Sequence, residues 1–365
     1  MSRRDLPSID RLLQSKPAST MEQDFGRELT IHALRETLAE ARSRAMDGAV
    51  IPGMDELLEA TRARLVAWLA PTLRPVINAT GVIIHTNLGR APLSNAAVEA
   101  VQTTSQGYIT LEYDLPRGTR GKRDQHAEHL LTLLTGAEAA MVVNNNAGAT
   151  LLALTALGKD REVIVSRGHL VEIGGSYRLP DVMSLSGAQL REVGTTNKTR
   201  VDDYASAIGP ATGAILRVHP SNFVIRGFAE QASLKELVDL GHQHGVPVID
   251  DIGSGALLDF AQFGLAGEPL AHESLAAGAD LALFSGDKLL GGPQCGIVVG
   301  RRKWIETMLR HPLTRALRVD KMTLAALAAT LRLYRSPDEA QAKIPLLMLL
   351  STSPENLKNR ADRLA

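Results

Sequence analysis

Apolar positions along the chain fall into two textures. Residues 1 to about 70 carry helix-period patterns punctuated by turn residues: LPSIDRLLQS, FGRELTIHALRETLAEARSRAM and MDELLEATRARLVAWLAP. In the second pattern Leu29, Ile31, His32, Leu34 and Leu38 fall mostly on one stripe, with Arg and Glu elsewhere, so the stripe requires a partner surface. This predicts a small helical N-terminal module. From Val76 the texture changes to short β-branched runs: AAMVVNN, EVIVS, GAILRVH, VPVIDD, ADLALFSGD and GIVVG. Helical patterns lie between them, among them DQHAEHLLTLLTG, closed by Gly136, and EQASLKELVDLGHQHG, closed by Gly245. Uninterrupted apolar strands alternating with helices predict an α/β architecture built on a mostly parallel sheet covered on both faces. From about Arg301 the chain turns helical again.

Composition narrows the function classes. Of 365 residues, 44% are hydrophobic and 22% charged, enough apolar surface for a large core, which argues against disorder or a coiled coil. Forty Lys and Arg balance forty Asp and Glu, and over residues 1–75 eleven of each cancel again. A bulk positive field for a polyanion is excluded, so any nucleic-acid contact must be local or made by shape. Cys295 is the single cysteine and cannot form an internal disulfide, and ten His without CxxC or HxxxH spacing give no metal signature. No run of 18 apolar residues exists and the chain starts on a polar segment. A cytoplasmic protein with no membrane, DNA or metal partner is therefore expected.

Ligands of parallel sheets bind at the carboxyl ends of the strands, so the polar residues that follow each apolar run are the ones to inspect. They are Asn144–Gly148, Ser166–His169, His219–Asn222, Asp250–Asp251 and Ser285–Lys288. Lys288, delivered by an apolar strand into a Gly-rich turn, has the setting in which desolvation lowers an ammonium pKa and permits Schiff-base chemistry; on position alone a solvated loop lysine is the commoner role. Asp251, ending VPVIDD, suits the carboxylate that keeps a pyridine nitrogen protonated, or equally a turn-forming Asp, and periodicity does not decide between it and Asp250. In NNNAGATLLALTAL, Asn146, Ala147 and Gly148 open a helix whose N-terminus can hold a phosphate, or is simply N-capped; no Walker lysine follows. His169 can stack over a flat cofactor or serve as a structural histidine. Together, a phosphate turn, a carboxylate and a lysine at successive strand ends describe a pyridoxal phosphate site of the aminotransferase-like fold.

The residues also resemble a known family, the bacterial selenocysteine synthases, or L-seryl-tRNA(Sec) selenium transferases. The resemblance runs through INATGVIIHTNLGRAPLS, YDLPRGTRGKRDQH, VVNNNAGATLLAL, VSRGHLVEIGGSYRLPDV, RVHPSNFVIRGF, DIGSGALLD, SGDKLLGGPQCGIVVG and LTRALRVDKMTLAAL, nearly the whole chain in order. It implies fold type I, a homo-oligomer built of dimers, and pyridoxal 5'-phosphate attached to Lys288 of the SGDK motif, which includes Ser285, with Asp251 as partner of the ring nitrogen. It further implies that residues 1–70 recognise tRNA, that 71–335 form the cofactor-binding catalytic core, and that 336–365 begin a C-terminal small domain cut short. Arg90 of NLGR, with Arg315 and Arg318 of LTRALR, is implied to hold an anion such as selenophosphate. The implied reaction turns seryl-tRNA(Sec) into selenocysteinyl-tRNA(Sec). Two alternatives stand beside it. One is a pyridoxal phosphate lyase acting on a small amino acid or amino sugar acid, whose members tend to lack the helical module and the NLGR arginine. The other is a catalytically silent tRNA-binding paralogue, against which the intact SGDK lysine weighs.

Overall fold

The computed structural model describes residues 6–175 and 177–364. The chain divides into two compact units, Met1–Ile77 and Asn78–Ala365. Among the described residues no helix is long and apolar enough to cross a membrane.

The first unit is four helices: α1 (Ile9–Leu13), α2 (Lys16–Phe25), α3 (Arg27–Met46) and α4 (Met54–Leu69). Ser8 and Ser15 cap the first two by accepting backbone N–H groups. Gly26, at φ 88°, separates α2 from α3, so the FGRELT pattern begins its helix two residues later than its apolar start suggests. The buried stripe of α3 also differs from the expected one: Thr30, Ala33, Leu34, Thr37, Leu38 and Ala41 face the core, whereas His32 is exposed, its ring 5.4 Å from that of Trp68. Small residues at the seam let α3 and α4 approach closely, and Thr37 and Thr61 meet there at 3.3 Å between hydroxyl oxygens. Each hydroxyl also donates to the carbonyl four residues earlier, so neither buried group lacks a partner.

The second unit is built on a seven-stranded sheet: β1 (Ala139–Val143), β2 (Glu162–Ser166), β3 (Gln189–Val193), β4 (Thr212–Val218), β5 (Val248–Gly253), β6 (Leu281–Ser285) and β7 (Gly296–Gly300). Its order is β1-β7-β6-β5-β4-β2-β3, and β7 alone runs antiparallel to its neighbours. Alternate strand residues feed opposite faces: Ala140, Val142, Ala282, Phe284, Ile297 and Val299 one core, Met141, Val143, Leu281, Leu283 and Val298 the other. Both faces are covered, which is why the strands read as unbroken apolar runs. The edge strand β3 is the exception. Its QLREV sequence is half exposed and carries no apolar run, so sequence patterning passes over it.

The flanking helices follow their capping signals. Helix α5 (Gln125–Thr135) ends on Gly136 in the left-handed conformation, and α6 (Asn146–Gly158) starts at the end of β1 with Asn145 as cap. Helix α7 (Leu234–Gln243) opens on a capping box of Ser233 and Glu236. Helix α8 (Lys321–Leu333) is followed by Ala340, Ile344, Leu346 and Leu347, which are buried in the core of this second unit.

After β2 a short 3-10 turn, Arg167–His169, carries His169 into the interior at 3% exposure, beside Arg217. Burial first, and the Arg217 charge second, depress its pKa to about 4. A histidine ionising near 6.5 when unfolded and about 4 when folded binds its proton more readily in the unfolded chain. Its contribution to stability is thus complete above pH 6.5 and lost as pH falls toward 4, by roughly 3 kcal/mol from that shift. Unfolding free energies measured between pH 7.5 and 4 are expected to lose this slope in His169→Gln. In the first unit, Leu34 is fully buried, and Leu34→Ala is expected to cost about 2–5 kcal/mol, read as lost hydrogen-exchange protection along α3 and α4.

Candidate active site

The carboxyl ends of β1, β4, β5 and β6 meet around one cavity of about 250 Å³. Asp251, at the end of β5, is 6% exposed and lies in its wall. Asn146 Nδ2 donates to its Oδ1 at 2.8 Å and Thr150 Oγ1 to its Oδ2 at 2.9 Å. Burial pushes its pKa up, while these two hydrogen bonds and the Lys288 charge pull it down. Asp250 points to the other face of the sheet, where it accepts from Arg217 Nη1 at 2.8 Å and Ser274 Oγ at 2.7 Å. The alternation that could not be resolved from sequence is therefore resolved: Asp251 faces the cavity and Asp250 does not.

Lys288 follows β6 and stands in the same wall, as does Ser285. Burial lowers its pKa most, the nearby Arg90 charge next, against Asp251 and Asp287, which raise it. Its ammonium has no hydrogen-bond partner among the described residues. The turn that presents it is tight: a Cβ at Gly286 would overlap the Cys295 sulfur and the Pro293 carbonyl, so only glycine fits. Arg90 reaches the same wall from a distant part of the sequence, its Nη1 2.8 Å from Asp287 Oδ2. Its backbone is left-handed at φ 59°, a conformation rare outside glycine, and the adjoining Ala91 N–H donates to the Asp287 carbonyl at 3.2 Å.

At the start of α6 the predicted phosphate residues divide. Asn146 and Ala147 line the cavity with first-turn N–H groups that α6 cannot satisfy. Gly148 does not line it, and its N–H is taken by Asn145 Oδ1 at 2.8 Å, with Leu317 packed against it. His169 is likewise absent from the wall, because the 3-10 turn after β2 folds it inward. Arg315 is exposed on the helix Leu313–Leu317 and Arg318 follows it; neither lines the cavity. That segment is nonetheless anchored beside the phosphate turn, since Asn144 N–H donates to the Leu317 carbonyl at 2.8 Å and Val143 bridges to Arg318. Arg318 turns toward Glu112, at 3.4 Å, which also pairs with Arg120 and Arg123 and has its pKa lowered chiefly by Arg123.

Asp287, Thr150, Tyr177, His219 and Ser221 are the residues that sequence reasoning did not assign. Asp287, His219 and Ser221 stand at strand ends that the parallel-sheet rule singles out, and Thr150 lies four residues from Asn146 on one face of α6. Tyr177 has no such signal. It arrives on a short antiparallel pair, Glu172–Ile173 with Tyr177–Arg178, and its hydroxyl pKa is raised by burial and by the Asp251 charge.

Two buried oxygens in this region, Asn146 Oδ1 and Asp287 Oδ1, have no hydrogen-bond partner among the described residues. Unpaired buried acceptors are costly and call for a donor from a bound group. A lysine of lowered pKa, an enclosed carboxylate and a helix N-terminus around them form a donor set that fits pyridoxal phosphate, whose aldehyde, ring nitrogen and phosphate those three groups match.

Among solved structures, a D-glucosaminate-6-phosphate ammonia-lyase superposes with a TM-score of 0.56 at 22% identity, over 68% of this chain and 65% of that one. An aspartate aminotransferase from Thermus thermophilus with maleate superposes at 0.51 with 19% identity, over 77% and 70%. These likenesses show the fold, fold type I of the pyridoxal phosphate enzymes. The family model for L-seryl-tRNA selenium transferase matches residues 76–365 and that for the selenocysteine synthase N-terminus matches 3–42. Curated L-seryl-tRNA(Sec) selenium transferases of Moorella thermoacetica and Rhizobium meliloti are 51% and 48% identical over 99% of this chain, which spans 77% and 78% of their lengths. That of Geobacter sulfurreducens is 50% identical over 98% of this chain and 78% of its own. With the matched region spanning both units and carrying the SGDK lysine, the chain belongs to the L-seryl-tRNA(Sec) selenium transferase family.

Proposed function

We infer that the chain converts seryl-tRNA(Sec) to selenocysteinyl-tRNA(Sec) at the Lys288 cavity, using pyridoxal 5'-phosphate and an anionic selenium donor, selenophosphate. The observation that carries the reading is the convergence of Lys288, Asp251 and Arg90 on one cavity in a chain about half identical to curated transferases over nearly its whole length. The cofactor, when bound, supplies an electron sink for negative charge at the serine Cα. Lys288 is its attachment point, and burial together with Arg90 favours the neutral amine that attachment requires. The same amine takes the Cα proton of serine and returns a proton to the departing β-hydroxyl, which leaves as water. Asp251, held by Asn146 and Thr150, keeps the ring nitrogen protonated. The N–H groups of Asn146 and Ala147 bind the cofactor phosphate, with Ser285 beside them in the wall. Arg90 holds the donor anion, with Arg315 and Arg318 at the rim, because a guanidinium fork binds phosphate oxygens bidentately and stays charged.

The helical unit is the part of this reading that recognises the tRNA, and its neutral charge assigns that recognition to shape and local contacts. Assembly into dimers is supported by the large apolar side chains of Tyr108, Ile109, Tyr113 and Leu115, which are exposed in this chain. The lyase alternative has likeness in fold alone to support it, whereas the transferase relatives match nearly the whole chain, the helical unit included.

The deciding experiment measures single-turnover formation of selenocysteinyl-tRNA(Sec) from seryl-tRNA(Sec) and selenophosphate, beside the visible absorption of the loaded enzyme. Conversion by the wild type, with an absorption band that seryl-tRNA(Sec) shifts and free serine does not, is expected. Lys288→Ala is expected to bind the tRNA yet form no product, and near-normal turnover would remove Lys288 from the chemistry. Arg90→Ala is expected to raise the KM for selenophosphate at least tenfold, about 1.4 kcal/mol, with the KM for seryl-tRNA(Sec) little changed.

A further inference from the structure

A second cavity opens beside the first. It is about 610 Å³ and shares His219 and Ser221 with the wall of the Lys288 cavity, so the two adjoin at those residues. The larger groove along Glu99 and Arg332 shares no wall with the Lys288 cavity. The second cavity's sides differ in character. The loop after β4 contributes Phe223, Val224 and Ile225, and Phe223 and Val224 are exposed at 38% and 76%. The same cavity is lined by Glu268, whose Oε2 is buried and has no hydrogen-bond partner among the described residues. Glu268 shares the wall of this cavity with His219, which also lines the Lys288 cavity, and its charge raises the pKa of both His219 and Lys288.

An aromatic face and aliphatic side chains with one unpaired carboxylate are the complement of a nucleoside, whose base stacks and whose hydroxyl and amine groups donate. The substrate supplies one. Serine is carried as an ester on the terminal ribose of its tRNA, so a serine held at Lys288 must place an adenosine immediately outside that cavity. We propose that the space between Phe223 and Glu268 receives the terminal adenosine of the aminoacyl-tRNA, the base stacking on Phe223 and Glu268 accepting from a donor of the nucleoside. This rests on the functional reading above and adds to it a reason for the charged tRNA to bind more tightly than free serine. It also gives the exposed loop a role that packing does not, since exposed Phe and Val are costly unless covered.

The test compares two non-hydrolysable probes, 3'-serylamino-3'-deoxyadenosine and serinamide, by calorimetric binding to the cofactor-loaded protein. In the wild type the adenosine is expected to improve Kd at least tenfold, the scale of one stacked base. Phe223→Ala is expected to lose most of that gain while binding serinamide unchanged, which also shows that it is folded, and Glu268→Gln is expected to lose most of the gain measured against its own Kd for serinamide. Equal Kd values for the two probes in the wild type, or a full gain retained in both variants, would overturn the subsite. Because the wild-type comparison needs no substitution, a variant that fails to fold does not shield the proposal. Turnover of seryl-tRNA(Sec) by the same wild-type preparation separates the two levels. Conversion without an adenosine gain sinks the subsite alone, and absence of conversion sinks the functional reading with it.

Discussion

A carboxylate closed off from water must be met by donors or lose its charge, and the candidate site is organised around that requirement at Asp251. Both of its direct donors, Asn146 and Thr150, come from α6, which starts at the end of β1, while Asp251 belongs to β5 three positions across the sheet. Two hydrogen bonds thus tie the helix N-terminus that would hold a phosphate to the strand end that would face a ring nitrogen. The separation of those two functions is set by the sheet, whose strands cannot slip without exchanging their faces. Asp250 supplies the counterweight. Its pairing with Arg217 and Ser274 on the opposite face secures β5 from behind, so neighbouring carboxylates have separate partners and separate duties.

Much of this is legible in the sequence because the sheet is buried on both sides. Six strands announce themselves as apolar runs, and the rule for parallel sheets then points to the residues that follow them. What escapes is what does not obey that periodicity. The edge strand β3 is half polar because one of its sides meets solvent. The α3 seam is shifted onto Thr30, Ala33 and Thr37, since close helix approach selects small residues that a hydrophobicity count underrates. His169 and Gly148 sit at the right places along the chain yet away from the cavity, one turned inward by a 3-10 turn and the other occupied by its own helix cap. The Leu317–Arg318 segment is held at the end of β1 by backbone pairing, yet neither Arg315 nor Arg318 lines the cavity, and Arg318 is taken by Glu112, a partner more than two hundred residues away in sequence. Tyr177 comes from a hairpin whose residues carry no pattern at all. Local propensity finds elements, and only the folded chain decides which of their side chains share a wall.

The NLGR turn shows how such long-range decisions are stabilised. Holding Arg90 in the left-handed region costs on the order of 1 kcal/mol relative to glycine. The cost is met by the Ala91 N–H bond to the Asp287 carbonyl and by the ion pair of Arg90 with the Asp287 carboxylate, which is 8% exposed and therefore weakly screened. The residue before the catalytic lysine candidate is in this way the point to which the guanidinium is fixed.

On the roles proposed for Arg90 and Lys288, that arrangement couples anion binding to proton transfer. With no anion present, the Arg90 charge is the second largest cause of the lowered Lys288 pKa, after burial. An anion placed on Arg90, as proposed for the selenium donor, offsets that charge and restores part of the basicity of the Lys288 amine. The lysine is then least basic when it must be neutral for attachment to the cofactor. Its basicity rises again when a donor offsets the Arg90 charge and a proton has to be carried from Cα to the departing hydroxyl. In a chain of zero net charge, whose long-range field is weak, this short path through Arg90 is the route by which donor binding can be sensed at the reacting centre.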